Sequence, residues 1–273
     1  MILYSPAKIN IGLHILRKRE DGYHDLDSLM YPIPFCDIIE MQVDPGFPEK
    51  LAFTNSGIKV PGDAGTNLCE KAIELFFNET STSSGIKLHL HKQIPFGAGL
   101  GGGSSNASTV LLGINMLNNE ILTSKQLADM AAQLGSDCPV FIYGKAMMAS
   151  GRGEILEETN VDLSGYYLVL LNPGIVVPTA EAYSKVVPNC NRKTLAHIIS
   201  APIYNWKDTL INDFENSIFP LYPEIQEMKL MLYKNGAIYS SMSGSGSSVY
   251  GIYEASPELP EELRKLVTWN GWL

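Results

Sequence analysis

The sequence predicts an α+β protein of two lobes. Strand-like and helix-like patterns alternate irregularly over 273 residues, so neither an all-helical nor an all-strand class fits. A half-buried strand pattern at 86–92 runs through a glycine-rich segment into a helical pattern from Ser104. Near 155–163 the chain becomes acidic and turn-like, which marks a candidate seam. We therefore expect one domain over 1–155 and a second over 156–273.

The elements follow in order. Residues 38–43 fit a strand. Residues 44–65 and 78–85 are rich in turn formers and read as loops. Residues 86–92 alternate apolar and polar side chains, the pattern of a half-buried strand. From Ser104, Val110, Leu111, Ile114 and Leu117 fall on one helical face. A second helix is expected over 124–134, with Ser124 as its cap and Leu127, Met130, Ala131 and Leu134 as its apolar stripe. Residues 166–171 read as a buried strand, 223–233 as a helix, and 240–253 as a Gly/Ser loop entering a strand. The tail at 269–273 carries no motif.

Composition narrows the function. Apolar residues make up 45% and charged residues 18%, the profile of an ordinary globular chain. Lys and Arg number 20 against 29 Asp and Glu, a net charge of -9. That balance argues against holding nucleic acid by general charge, but leaves room for a small anionic substrate in a locally positive site. Cys36, Cys69, Cys138 and Cys190 form no C-x-x-C pair, so no zinc site or redox dithiol is indicated, and buried reduced thiols are expected. Pro6 and Lys8 interrupt any secretory apolar core. The apolar stretch 166–177 is broken by Asn172, Pro173 and Gly174, short of the about 20 residues that span a bilayer. The expectation is a cytoplasmic protein with no membrane partner.

Chemistry concentrates in Pro95-Phe-Gly-Ala-Gly-Leu-Gly-Gly-Gly-Ser-Ser-Asn106. Glycines let a ligand approach bare backbone N–H groups, and a helix N-terminus adds partial positive charge. A strand before and a helix after make this an anion cradle suited to polyphosphate. No Gly-Lys-Ser/Thr follows, so it is not a Walker A loop. No acidic ribose-binding residue follows about 20 residues later, which disfavours a dinucleotide. Lys8, Asn10 and Gly12 share one strand face, either an ordinary exposed face or a positive charge held over a site. Asp137, in Leu134-Gly-Ser-Asp-Cys-Pro-Val-Phe141, is a helix cap or, beside a phosphate loop, a candidate base. Asp21-Gly-Tyr-His24 reads as a turn carrying two rings. His89 and His91 lie on one strand face without a third ligand for a metal. Residues 239–249 form a second Gly/Ser segment, either another wall near the phosphates or a plain hairpin turn.

Taken together, Pro6-Ala-Lys-Ile-Asn10, the loop at 95–106 and Ser241-Met-Ser-Gly-Ser-Gly246 resemble the GHMP kinases. Asp21-Gly-Tyr-His24, Gly99-Leu-Gly-Gly-Gly-Ser-Ser-Asn106, Gly135-Ser-Asp-Cys-Pro139 and Asn212-Asp-Phe-Glu215 are similar to the branch acting on a cytidyl diphosphate alcohol. The resemblance covers nearly the whole chain. It implies an N-terminal lobe like domain 2 of ribosomal protein S5, which binds ATP, and a ferredoxin-like C-terminal lobe, with the active site in the cleft between lobes. It implies transfer of the γ-phosphoryl of ATP, accompanied by Mg²⁺, to the 2-hydroxyl of 4-diphosphocytidyl-2-C-methylerythritol in isoprenoid synthesis.

By position, Lys8 and Asp137 match the family's catalytic pair. Asn10, Tyr23, His24, Thr179 and Tyr183 match substrate-binding positions, with Tyr23 and Tyr183 as a clamp on cytosine. Pro95, Gly97, Gly99, Leu100, Gly101, Gly102, Gly103, Ser104, Ser105 and Asn106 match the ATP loop, and Asn67 and Lys92 the adenine end. No Mg²⁺ ligand is assigned; Ser105 is a candidate by place alone. Ser136 and Cys138 stand where Ala and Val are frequent, and both are small. A monomer or weak homodimer is expected. The rival readings are a homoserine-type or mevalonate-type kinase, which needs no aromatic clamp, an inactive ligand sensor, and a nucleotide-binding oxidoreductase.

Overall fold

A computed structural model describes residues 1–44, 51–59, 67–82 and 84–273. The chain divides into two compact units, each discontinuous in sequence. The first comprises Met1–Ala7, Phe35–Pro95 and Gly101–Lys145; the second comprises Lys8–Pro34, Phe96–Leu100 and Ala146–Leu273. Two long strands, β1 (Ile2–Lys18) and β2 (His24–Asp44), contribute residues to both.

In the first unit β3 (Leu51–Gly57), α1 (Leu68–Thr80) and β4 (Gly85–Lys92) form a strand–helix–strand crossover. β3 and β4 pair in parallel, with Leu51 opposite Ile86 and Gly57 opposite Lys92. β4 then pairs antiparallel with the end of β2, from Ile38 opposite His91 to Asp44 opposite Gly85. Helices α2 (Gly102–Leu117), α3 (Ser124–Leu134) and α4 (Cys138–Tyr143) complete this unit. Its core joins Ile39, Met41, Ile73, Phe76, Leu88, Val110, Leu111 and Ile114, all buried.

Several local expectations need correction. β3 lies inside the stretch expected to be a loop. Its own pattern, Leu-Ala-Phe-Thr-Asn-Ser-Gly, is a weak strand signal, and pairing with β4 supplies what propensity lacks. Residues 45–50 and 60–65 of that stretch lie outside the described residues. α1 continues to Thr80, into the second expected loop, and stops where Ser81 turns left-handed. The cap of α3 is Thr123, whose hydroxyl accepts from the Gln126 N–H while Gln126 reaches back to the Thr123 N–H.

In the second unit β5 (Met147–Gly151) pairs antiparallel with the first half of β2, Leu26 opposite Gly151 through Met30 opposite Met147. β6 (Ile155–Glu158), from the acidic stretch, pairs with β5. A separate antiparallel sheet collects β7 (Tyr167–Leu171), then, after α5 (Thr179–Ser184), α6 (Leu195–Ile199), α7 (Glu215–Ile218) and α8 (Pro223–Lys234), the strands β8 (Tyr239–Met242) and β9 (Val249–Tyr253). After α9 (Glu261–Arg264) comes β10 (Val267–Trp272), and the sheet order is β10-β7-β9-β8. The tail that carried no motif is thus a strand, pairing Trp272 with Tyr167. Val169, Leu171, Phe214, Ile218, Ile225, Leu232 and Val249 build this unit's core.

The cysteines are free thiols, but only Cys69 and Cys138 are buried; Cys36 is half-buried and Cys190 exposed. Burial pushes Cys69 up to about 12 and Cys138 up to about 11, so both stay protonated. Among the described residues no helix is long and apolar enough to cross a membrane.

Candidate active site

In the second unit three distant chain segments meet on β1. Lys8 is 3% exposed, and its ammonium donates to Asn10 Oδ1 and, at 3.0 Å, to the Gly99 carbonyl. The Lys8 N–H bonds the Leu100 carbonyl at 2.9 Å, which lays the glycine loop along the strand. Ser243 donates its hydroxyl to the same Gly99 carbonyl at 2.9 Å and accepts from the Asn10 N–H at 3.3 Å. The Tyr250 hydroxyl donates to the Asn10 carbonyl, and the Asn212 amide holds the carbonyls of Met242 and Gly244 at 2.8 Å each. Gly99 is required here: it is left-handed at φ +77, and a Cβ would lie 1.9 Å from the Ser243 carbonyl oxygen. The second Gly/Ser segment is therefore built against the first.

In the first unit the other end of the loop is fixed by a carboxylate. Asp37, fully buried on β2, accepts from the Lys92 ammonium, the Asn106 amide at 2.8 Å, and the N–H groups of Gln93 and Ile94 at 2.7 and 2.8 Å. Burial lowers the Lys92 pKa and the Asp37 charge opposes that shift. α2 begins at Gly102, two residues before the expected start, with left-handed Gly101 as its cap and no acidic residue in its first turn. First-turn N–H groups have no intrahelical acceptor, and a glycine cap offers no side-chain oxygen in its place. The backbone therefore fits a phosphate.

The remaining site residues sort by what their side chains touch. Ser105 lies 2.8 Å from Ser5 Oγ and is fully buried, and Asn106 bonds both Ser5 and Asp37, so these side chains secure α2. Lys92 likewise ends on Asp37. Asn67 caps α1 through the Cys69 N–H at 2.8 Å. Asp137 occupies the N-cap position of α4, with no side-chain cap hydrogen bond. His24 stacks on Tyr183, with ring centroids 4.9 Å apart, and Phe214 meets Tyr183 edge-on at 4.8 Å. Tyr23, 56% exposed, has the Arg152 guanidinium over its ring at 4.9 Å. Burial, then the Lys18 charge, lowers the His24 pKa. The Thr179 hydroxyl is 3.5 Å from that of Ser245. His89 and His91 hydrogen-bond Thr54 and Ser56 across the β3–β4 pair. A cavity of about 590 Å³ elsewhere in the second unit is lined by Tyr166, Ile199, Trp206 and their neighbours, and by none of the residues above.

Residues 67–145 match the GHMP kinases N terminal domain, and residues 195–268 match the GHMP kinases C terminal domain. The chain belongs to the GHMP kinases. It is 46% identical over 255 residues to the 4-diphosphocytidyl-2-C-methyl-D-erythritol kinase of Azobacteroides pseudotrichonymphae, covering 93% of this chain and 94% of that one. A crystal structure of 4-(cytidine 5'-diphospho)-2C-methyl-D-erythritol kinase superposes with TM-score 0.82 at 32% identity, over 99% of this chain and 98% of that one. Methanococcus jannaschii mevalonate kinase shares the fold, with TM-score 0.69 at 14% identity over 97% and 92% of the two chains. As a GHMP kinase the chain takes its phosphoryl group from ATP.

The structure adds Ser28, Asn212 and Ser243 to the network around Lys8 in the second unit, and Asp37 to the one around Lys92 in the first. Ser243 and Asn212 fall inside quoted motifs and were within reach of the sequence. Ser28 and Asp37 sit in ordinary strand sequence with no local signal.

Proposed function

We propose that the chain transfers the γ-phosphoryl group of ATP to the 2-hydroxyl of 4-diphosphocytidyl-2-C-methyl-D-erythritol. The observation that carries this reading is the gathering of Lys8, Asn10, the Gly99 carbonyl and the Ser243 hydroxyl into one buried network. The cytidyl substrate is the one in the names of relatives matched along nearly the whole chain.

The acceptor is a tertiary alcohol, a poor nucleophile until its proton leaves. Asp137 accepts that proton, help worth about 10² to 10⁴-fold. Lys8, oriented by Asn10, offsets the charge that grows on the alkoxide. The first-turn N–H groups of α2 take phosphate oxygens. Among the described residues no three His, Cys, Asp or Glu are grouped to hold a metal, and the proposed cation enters with the nucleotide. That cation, Mg²⁺, neutralises phosphate charge when bound. Tyr183 and Tyr23 offer ring faces to cytosine, each worth about 1 to 3 kcal/mol in stacking. His24, its pKa lowered, is neutral at pH 7 and presents one donor and one acceptor to the base edge. Thr179 lines the same substrate, and Asn10, matched to a substrate position, acts there by holding Lys8.

The test is ADP release measured against the cytidyl substrate, its uridyl analogue, homoserine and mevalonate. Turnover with the cytidyl substrate alone supports the reading. Turnover with homoserine or mevalonate alone overturns it.

A further inference from the structure

Ser28 lies on β2, fully buried, within the second unit. Its Oγ is 2.8 Å from the Gly12 carbonyl oxygen and 2.8 Å from Asn10 Nδ2. A carbonyl oxygen can only accept, so the single hydroxyl proton points at Gly12. Toward Asn10 the Ser28 oxygen can then only accept, and the amide must present its NH₂ group there. An amide is planar, so its oxygen faces the opposite way, onto the Lys8 ammonium. The reversed amide would set NH₂ against NH₃⁺, donor against donor, in a buried place.

The residue at the start of this series must itself be glycine. Gly12 is left-handed at φ +71, and a Cβ there would lie 2.6 Å from Leu210 Cδ1 and 2.9 Å from Leu195 Cδ1. The order Gly12, Ser28, Asn10, Lys8 is therefore directional. Each member has one permitted role, and the last is a positive charge.

We infer that Ser28 is a positioning residue of the kinase: its hydroxyl, committed to Gly12, sets the Asn10 amide so that its oxygen holds Lys8. This rests on the role proposed above for Lys8. No sequence motif contains Ser28.

Ser28→Ala leaves the Asn10 amide without its acceptor. The expected result is a fall in kcat of about 10 to 100-fold, the scale of one unsatisfied buried polar group, with KM for ATP within about 2-fold of wild type. Ser28→Cys, which keeps volume but donates poorly, moves kcat the same way and guards against an Ala variant that fails to fold. The decisive comparison uses Asn10→Asp. A carboxylate has two accepting oxygens and needs no orienting partner, so Ser28→Ala in that background costs less than about 3-fold. Losses that multiply across the two sites, or an unchanged kcat in folded Ser28→Ala, overturn the inference.

A second readout is independent of turnover. The Asn10 side-chain amide protons, followed by ¹⁵N-resolved hydrogen exchange, are protected in the wild type and exchange at least about 10-fold faster in Ser28→Ala at matched global stability. Equal protection overturns the inference even if the cytidyl substrate proves wrong. A wild-type chain that leaves the cytidyl substrate untouched while the amide responds as expected refutes the proposed function and keeps the Ser28 geometry.

Discussion

Lys92 in the first unit and Lys8 in the second are both buried, and their surroundings differ in kind. Lys92 ends on the carboxylate of Asp37, which also gathers Asn106 and the N–H groups of Gln93 and Ile94. Within its unit Lys8 ends on an amide oxygen and a backbone carbonyl. A carboxylate fixes an ammonium and cancels its charge. The first arrangement ties β4 and α2 to β2 through one carboxylate; the second ties the glycine loop to β1 through an ammonium and two neutral oxygens.

Breaking the site itself gives the largest effects. Asp137→Asn should lower kcat by about 10² to 10⁴-fold with little change in either KM. Lys8→Ala should lower it by about 10² to 10³-fold. Steady-state kinetics on both substrates reads these, and a Lys8→Ala enzyme with normal kcat would remove the contrast between the two lysines.

The structural pair answers to stability instead. Asp37→Asn or Lys92→Met alone leaves a partner stranded and should cost about 3 to 5 kcal/mol in urea unfolding. The double variant should regain most of that loss, because no uncompensated charge remains. Single losses that simply add in the double variant would mean the pair is not coupled.

Two neighbouring glycines sharpen the division further. A Cβ on Gly102 would lie 2.8 Å from both Lys92 Nζ and Ile94 Cγ2, whereas among the described residues one on Gly103 meets only Leu68 at 3.7 Å. Gly102→Ala should cost about 1 to 3 kcal/mol of stability. Gly103→Ala should keep wild-type stability and weaken ATP binding in calorimetry, since the methyl group crowds the first-turn N–H groups rather than the core.

The smallest effect concerns His14, buried on β1, whose Nδ1 finds no hydrogen-bond partner among the described residues. Burial first, then Arg192, lowers its pKa, against opposing pulls from Asp213 and Asp27. The unfolded chain therefore binds a proton near pH 6.5 that the folded chain refuses. Stability is complete above that pH and falls as pH drops below it, by at most about 1.4 kcal/mol per pH unit for one proton. His24 shifts the same way. Urea midpoints from pH 7.5 to 5.5 should show the decline, and His14→Leu should flatten it.

The sequence showed the strand, the glycine run and the helix as one motif because every residue of that cradle is local. It showed Lys8 and Asn10 as face-mates because strand alternation is local too. It missed β3, whose weak pattern becomes a strand only when β4 lies beside it. It also missed Asp37 and Ser28, whose meaning comes from Lys92 and Asn106 in one case and from Gly12 and Asn10 in the other. Cys190 was misplaced because hydrophobic type alone does not bury a side chain among Asn189, Asn191 and Arg192.

The discontinuity of the two units has a consequence for synthesis. The last segment of the first unit ends at Lys145, so all of that unit can leave the ribosome before the second has its sheet. Segments 8–34 and 96–100, which carry Lys8, Asn10 and Gly99, are made early, yet their partners Asn212, Ser243 and Tyr250 are made late. At about 5 to 20 residues per second, the polar ring around Lys8 stays open for about 10 to 50 seconds after its first members emerge. A nascent chain stalled after Lys145 has cleared the ribosome would thus hold a folded α2 while the ring around Lys8 is still unformed. Limited proteolysis of ribosome-bound chains should find residues 102–117 protected while 8–18 are still cut.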